Sequence, residues 1–430
     1  VAYPTIVYDA TSGSDTAPSD LVGSGTNADL SGATITLNAT VDLSGALDDG
    51  SDYIYFVGSS GDRHLHQITA FNPNSAACTS ITIAESGTTR TASNWYVNGT
   101  RQTLENDATY WDFRDLSHGW TLEFKEGTYN VGDYGTGSWC SQGSIAGTSL
   151  LPPLTIRAHS AATSKPVINF NNGAYGLIGG GAANCKLRLQ SLRFTSSAGT
   201  AGIFYPSEFN SVVSVDCSFN TEGGWVTYKW SNTNYFINCF FGNGSDSGYL
   251  YRSSQNTRSV FVNCLFDASQ ATSYALQFTD SSFGTLIGCA ILDGAGDGIR
   301  QIGTDSQNGL AIIGCTIAGC AGDGVVLSSN GGETWIGMIA NCVIAYNGGY
   351  GITAPPSGVD VTHWGVKGNA IYGNTSGNYN GDFVADASAI TLSADPFTNR
   401  AGGDYSLNNT AGGGALLRGA AYPASMPDGS

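Results

Sequence analysis

The chain is short of charge, and of positive charge above all. Its 430 residues hold 17 lysines and arginines against 34 aspartates and glutamates, a formal net charge of −17. That balance repels phosphate backbones and anionic bilayers, so no nucleic-acid partner is expected. It also disfavours heavily anionic polysaccharides unless calcium or a local basic patch intervenes. Strong helix formers such as Glu, Lys and Arg are scarce. No apolar run approaches the length of a membrane span, so no membrane insertion is expected. The opening VAYPTIVYDA lacks the basic and apolar stretches of a signal peptide, and one could have been removed before Val1. Ten cysteines are too sparse for a disulfide scaffold. There is no G-x-S-x-G, dinucleotide fingerprint, P-loop or zinc motif. The glycine runs GGGAAN and GGGALL lack the strand-to-helix setting that a phosphate site needs.

What the chain has instead is repetition. Glycine reaches 59 residues, and Ser, Thr, Asn and Tyr fill much of the rest. From Ser191 to Asn369 one short phrase recurs: VDCSF, INCFF, VNCLF, IGCAI, IGCTI, ANCVI, GNAI. Cys217, Cys239, Cys264, Cys289, Cys315 and Cys342 hold one place in it, with Ser191 before them and Asn369 after. The spacings are 26, 22, 25, 25, 26, 27 and 27 residues. A period in that range marks a solenoid. The phrase is β-branched and aromatic and bounded by turn formers, so it reads as a strand.

A second strand candidate lies in each period: WVTYK, YLYRS, YALQF, GIRQI, GVVLS, GITAP. A third would complete a coil. The expected fold is all-β: a right-handed parallel β-helix of about 25 residues per coil, with equivalent residues about 4.8 Å apart. Stacked inward, the cysteines act as small hydrophobes and form a core ladder with Phe219, Phe241, Phe266, Ile291, Ile317 and Ile344. Parallel Cβ vectors suit disulfides poorly, so reduced thiols are expected. No histidine accompanies the column, so no metal is expected there. The residues before the cysteines, among them Asp216, Asn238 and Asn263, point outward or into a bend.

Three regions follow. Residues 1–118 read as a small β-rich domain, a sandwich or barrel, serving as attachment or cap. His64 and His66 share a strand face there without a third ligand. Residues 119–389 form the β-helix, opening on WTLEFKEGTY, with a loop over 130–153 that carries Trp139 and Cys140. Residues 390–430 close it, and the tail after Gly412 covers the last coil or runs along its side.

Chemistry must come from side chains that stacking brings together. A glycosidase needs two carboxylates flanking a bond. Asp293, Asp297 and Asp323 are the densest cluster, and Asp297 and Asp323 stand 26 residues apart on neighbouring coils. Asp-Gly corners are also ordinary turn chemistry. The competing readings are a catalytic role or a calcium ion at these turns; otherwise no cofactor is expected. Arg252, Gln277 and Arg300 form a thin polar stripe. Trp225, Tyr228, Lys229, Trp230 and Tyr251 add aromatic and basic candidates for holding a glycan. Glu208, Glu222 and Asp246 lie in loops. Aromatics of this kind also suit a subunit interface.

NWYVNGTRQTLE, WTLEFKEGTY and the closing frame at Asp395–Phe397 and Asp404–Leu407 complete the pattern. With the coils between them they resemble right-handed β-helix surface proteins of tailed-bacteriophage virions: fibres, tailspikes or capsid decorations. That resemblance implies a virion location, a homo-oligomer (a trimer, or a lattice with other virion proteins) and adhesion to cell-surface polysaccharide. It implies a structural or adhesive protein rather than an enzyme. The alternatives are a polysaccharide hydrolase or lyase of the depolymerase type, and a secreted prokaryotic adhesin or surface-layer component.

Overall fold

A computed structural model describes residues 5–9, 23–46, 51–58, 63–98, 119–131, 153–170, 177–178, 185–196, 202–205, 209–221, 225–227, 233–242, 249–253, 257–271, 273–279, 282–303, 309–329, 336–354, 364–381, 383 and 386–418. The fold is an all-β, right-handed parallel β-helix with a smaller antiparallel β domain near its N-terminus. By contacts the chain divides into two units, residues 1–217 and 218–430.

The first unit does not begin with the small domain. Strand β1 (Thr5–Tyr8) pairs in parallel with Thr121–Phe124, the first strand of WTLEFKEGTY. The chain then leaves for four antiparallel strands, β2 (Gly23–Val41), β3 (Tyr53–Gly58), β4 (Arg63–Asn72) and β5 (Cys78–Val97). It returns to the solenoid at Trp120. β5 pairs with β2 along much of its length, with β4 through its first half and with β3 through its second. β3 also pairs with β4, so these three strands close on one another. Ile35, Ile54, Ile68, Ile81 and Trp95 fill the interior. The expected region 1–118 thus includes a strand, β1, that stacks on the first strand of the β-helix. Tyr8 stacks on Phe124 at 4.7 Å, and the Tyr129 hydroxyl donates to the Tyr8 carbonyl at 2.9 Å. Three aromatics thus seal that coil.

In the second unit each coil contributes three short strands, and each set stacks into a parallel wall. In chain order within a coil, wall one holds strands such as Thr233–Ile237, Arg258–Val262 and Phe283–Ile287. Wall two holds Phe240–Gly242, Leu265–Asp267 and Ala290–Leu292. Wall three holds Tyr249–Ser253, Tyr274–Thr279 and Asp297–Gly303.

The recurring phrase is therefore two strand ends around a bend and not one strand. Asn238, Asn263, Gly288, Gly314, Asn341 and Gly368 all have φ between 52° and 64°. An ordinary side chain pays roughly 1–2 kcal/mol there, which is why the column uses Asn and Gly. From Asn238 to Asn341 each bend N–H donates to the next coil, as Asn263 does to the Ile287 carbonyl at 2.9 Å, and the Gly368 N–H donates to the Ser388 hydroxyl at 2.8 Å. Ser191 (φ 55°) belongs to the equivalent bend position in the first unit. It does not occupy the cysteine slot; the neighbouring Leu192, fully buried, does. At the other end Asn369 occupies that slot. Its side chain accepts from the Cys342 N–H at 2.9 Å and donates to the Ile339 carbonyl at 2.7 Å.

The cysteine ladder is buried and unbridged. Cys264 Sγ donates to the Phe236 carbonyl, and Cys289 Sγ to that of Phe261. Burial first, and neighbouring thiols second, push the Cys315 thiol well above its ordinary value. Beside the ladder the phenylalanines stack: Phe219 on Phe241 at 5.1 Å, Phe241 on Phe266 at 4.6 Å. Cys320 stands in a second corner, with its N–H donating to the buried Asn347 side chain. In the closing segment, Ile390 bridges to Ala370 of the last coil. The hairpin of Phe397–Asn399 and Asp404–Leu407 lies along wall two, with Phe397 packed on Ala318 and Ala345.

Candidate functional site

The outer surface of wall three carries the densest chemistry among the described residues. Parallel register places Tyr249 beside Tyr274, and Tyr274 beside Asp297. One row along, Arg252, Gln277 and Arg300 lie side by side, followed by Val326 and Thr353. The two tyrosine rings stack at 5.9 Å with an interplanar angle of 16°. Each arginine lies over a ring: Arg252 is 5.3 Å from the centroid of Tyr249, and Arg300 is 4.7 Å from that of Tyr274. Cation–π contact of this kind holds a guanidinium flat and partly desolvated. Arg300 Nη1 also donates to the Tyr274 hydroxyl at 2.6 Å and sits 3.7 Å from Asp297 Oδ2.

The three aspartates have separate fates. Asp323 is held on both oxygens: Oδ1 accepts from the Tyr350 N–H at 2.6 Å, and Oδ2 from the Thr353 hydroxyl at 2.6 Å. Asp297 makes the same kind of staple with one oxygen, Oδ1 accepting from the Asp323 N–H at 2.9 Å. Its second oxygen faces Arg300. Burial pushes the Asp297 carboxyl above the usual range, the Asp323 N–H pulls it down, the Asp323 charge raises it, and Arg300 lowers it. Glycine is required beside these staples: a Cβ on Gly322 would lie 2.2 Å from Asp297 Oδ1, and one on Gly349 would lie 1.9 Å from Asp323 Oδ1.

Asp293 stands apart from this pair. It occupies a left-handed bend (φ 56°) shared by Gly319, Tyr346 and Gly373 in later coils. Its carboxylate accepts the Tyr405 hydroxyl from the closing segment. The three aspartates therefore do not converge. Among the described residues no three His, Cys, Asp or Glu side chains are grouped to hold a metal ion.

The remaining candidates divide as follows. Arg252, Gln277 and Arg300 are brought together as the spacing implied. Tyr251 is not on the surface. It is fully buried, facing Phe261 edge-on at 4.9 Å, with its hydroxyl bonded to Ser259. Alternation from the outward Arg252 turns Tyr251 inward, and Leu250 and Tyr251 are both buried between the half-buried Tyr249 and Arg252. Trp225 opens a strand of wall three. Tyr228, Lys229 and Trp230 lie outside the described residues, as do Glu208, Glu222, Asp246, Trp139 and Cys140. Tyr249 and Tyr274 are not among the residues expected from sequence, although both open the corresponding phrase in consecutive repeats. A cleft of about 170 Å³ at the last coil is lined by Asn369, Ile371, Tyr372 and Tyr379 with Ile390 and Leu392, and none of the residues lining it is charged. Among the described residues no helix is long and apolar enough to cross a membrane.

No protein-family model matches the chain, and no curated protein does. Among solved structures, pectate lyase Pel9A shares the fold at 14% identity and a TM-score of 0.37, over 69% of this chain and 82% of that one. The catalytic domain of a GH87 α-1,3-glucanase in complex with nigerose aligns over 86% of this chain and 88% of its own, at 10% identity and a TM-score of 0.21. These are likenesses of fold. They carry no role over to this chain, and they do not single out virion proteins. The expectation of a structural protein rather than an enzyme finds no support among them, since both aligned structures are enzymes.

Proposed function

We propose that the chain is a polysaccharide-cleaving enzyme, a glycosidase or lyase, whose substrate lies along the outer face of wall three. It would work outside the cell, secreted or at a surface. The observation that carries this reading is the Tyr249–Tyr274 stack, with a guanidinium over each ring and Asp297 next in line. Flat rings with adjacent polar forks offer apolar area and directed hydrogen bonds together, which is what a pyranose face and its hydroxyls require. The row runs across the strands, so an extended glycan can contact one coil after another.

In this reading Asp297 moves the proton. A carboxyl raised by burial holds its proton nearer neutrality and suits a general acid at a glycosidic oxygen. For elimination, Arg300, beside it and bonded to Tyr274, offsets the negative charge that develops on a uronate carboxylate as the neighbouring proton leaves; for hydrolysis a second carboxylate must flank the bond to activate water or attack the sugar. Asp323 positions Asp297 through its N–H.

The test is a screen of purified protein on neutral and uronate-containing polysaccharides, following new reducing ends together with the ultraviolet absorbance of unsaturated uronates. Reducing ends alone mean hydrolysis; both signals mean elimination. The proposal requires one substrate to be cleaved by the native chain and spared by Asp297→Asn. Cleavage equal in both would remove Asp297 from the mechanism. A chain that neither cleaves nor retains any glycan would overturn the function.

A further inference from the structure

The first coils, in the first unit, gather cations that the rest of the chain lacks. Between Asp133 and Glu208 the sequence has no acidic residue, yet it holds Arg157, Lys165, Lys186, Arg188 and Arg193, five of the chain's 17 lysines and arginines. Three of them share one sheet face. Parallel register sets each beside a neutral hydrogen-bonding side chain: Lys186 beside Ser211, Arg188 beside Thr155 and Arg157 beside Gln190. Leu187 and Leu189 alternate with them and are buried, so this row points outward. Arg188 is exposed, and no ion pair engages it among the described residues. Arg157 is 45% exposed and donates from Nε and Nη2 to one oxygen of Glu123, at 2.8 and 2.5 Å. That contact fixes the guanidinium plane and leaves Nη1 to donate elsewhere. Glu123 is the one carboxylate among the described residues of this face. The other two cations lie round the bend: Lys165 pairs with Asp216 at 2.8 Å, and Arg193 is exposed at the start of its strand.

We infer that this strip binds an acidic polysaccharide, a polyuronate, at a site separate from the tyrosine row of wall three. Charge spacing selects the ligand. Lys186 and Arg188 stand two residues apart on one strand, and Arg157 lies two residues further along on the neighbouring strand. The steps are roughly 7 and 8 Å. A glycan with one carboxylate on each sugar, or on every second one, meets such cations one for one. A nucleic-acid duplex carries a charge about every 1.7 Å, and most of those charges would face an acidic molecule unpaired. The neutral partners supply the rest of the recognition: beside each cation that takes a carboxylate, Ser211, Thr155 or Gln190 is placed for a sugar hydroxyl. A net charge of −17 repels an acidic chain from most of the surface, so a strip of opposite sign also fixes where it lands. The inference stands on the first unit alone and needs no chemistry at Asp297.

The experiment is affinity electrophoresis of the full chain through gels holding polymannuronate, polygalacturonate or neutral dextran, followed by calorimetry on the polymer that retards it most. Calorimetry uses the Asp297→Asn chain, so that the polymer stays intact whether or not the native chain cleaves it. A polyuronate is expected to retard the protein where dextran does not, with an affinity that falls as salt rises. Arg188→Gln should weaken binding about tenfold, and Arg188→Gln with Lys186→Gln by more. Arg258→Gln removes the same charge from the second unit and should change nothing. Each variant is an exposed or half-buried surface change and should keep the native melting temperature. A chain retarded by neither polyuronate overturns the inference. So does binding that survives the double substitution, a loss that Arg258→Gln reproduces, or a duplex DNA bound more tightly than either polyuronate. Retardation lost in Tyr274→Ala but kept in Arg188→Gln would place the acidic chain on wall three and overturn the strip.

Discussion

Walls one and three of the second unit make an informative pair. Their strands have the same parallel geometry, the same spacing and the same kind of inward row. Phe236, Phe261, Leu286 and Ile312 line one; Tyr251, Leu276, Ile299 and Val325 line the other. Their outward rows share almost nothing. Wall one shows Val, Ile, Thr and Met with cations at its margins. Wall three shows stacked tyrosines, two arginines and a half-buried carboxylate. One backbone thus carries two surfaces, and only the outward residues tell them apart. Inward positions answer to packing and leave little choice. Outward positions answer to whatever touches them.

The largest effect should come from the row both walls need. Phe261 stacks on Phe236 at 5.1 Å and meets Tyr251 and Phe266 edge-on. Phe261→Ala should cost about 3–5 kcal/mol, read as a lowered denaturant midpoint. A loss under 1 kcal/mol would mean that the walls do not share one packed core.

Asp297→Asn sharpens the contrast between outward and inward positions. An amide oxygen still accepts from the Asp323 N–H, so the corner survives. The sign for stability follows from the raised carboxyl. That group favours folding most fully below the ordinary carboxylate range, and the contribution is lost as pH rises through its higher folded value. At neutral pH the substitution should therefore leave the melting temperature unchanged or slightly raised. Activity should fall about 10²–10⁴-fold. In the native enzyme, activity should decline as pH climbs past that raised value; a flat profile there would deny Asp297 the role of acid.

Tyr274→Ala removes one ring of the stack and the partner of Arg300. Glycan affinity, measured by calorimetry, should drop by about 1–2 kcal/mol. Tyr235→Ala, an exposed aromatic on wall one, should leave that affinity untouched. Equal losses from both would erase the distinction between the walls. The smallest effect is at the bend: Asn263→Ala should cost about 1 kcal/mol and Asn263→Gly almost nothing, in a chemical unfolding series.

Much of the architecture was legible in the spacing of a few residues. The cysteine period placed the core ladder, and the run Asn238, Asn263, Gly288, Gly314, Asn341 announced a column of bends, because those residues tolerate positive φ. The arginine row was legible too, since Arg252, Gln277 and Arg300 recur at the coil period. Three matters were not. Tyr251 faces the core beside the outward Arg252, and an aromatic there reads equally as a surface platform or as packing. The entry of β1 into the first coil rests on pairing across more than a hundred residues of chain. Asp293 looked like a neighbour of Asp297, yet the closing segment claims it through Tyr405.

The sequence by itself determined the winding: a repeated small or apolar slot, a repeated bend residue and turn formers at a steady interval admit little else. Tertiary structure alone decided which face each aspartate serves, which tyrosine reaches the surface and where the two contrasting walls lie. Periodicity reports what recurs once per coil. A carboxylate's partner depends on groups from other coils and from the closing segment, brought within 3 or 4 Å only when the chain is wound.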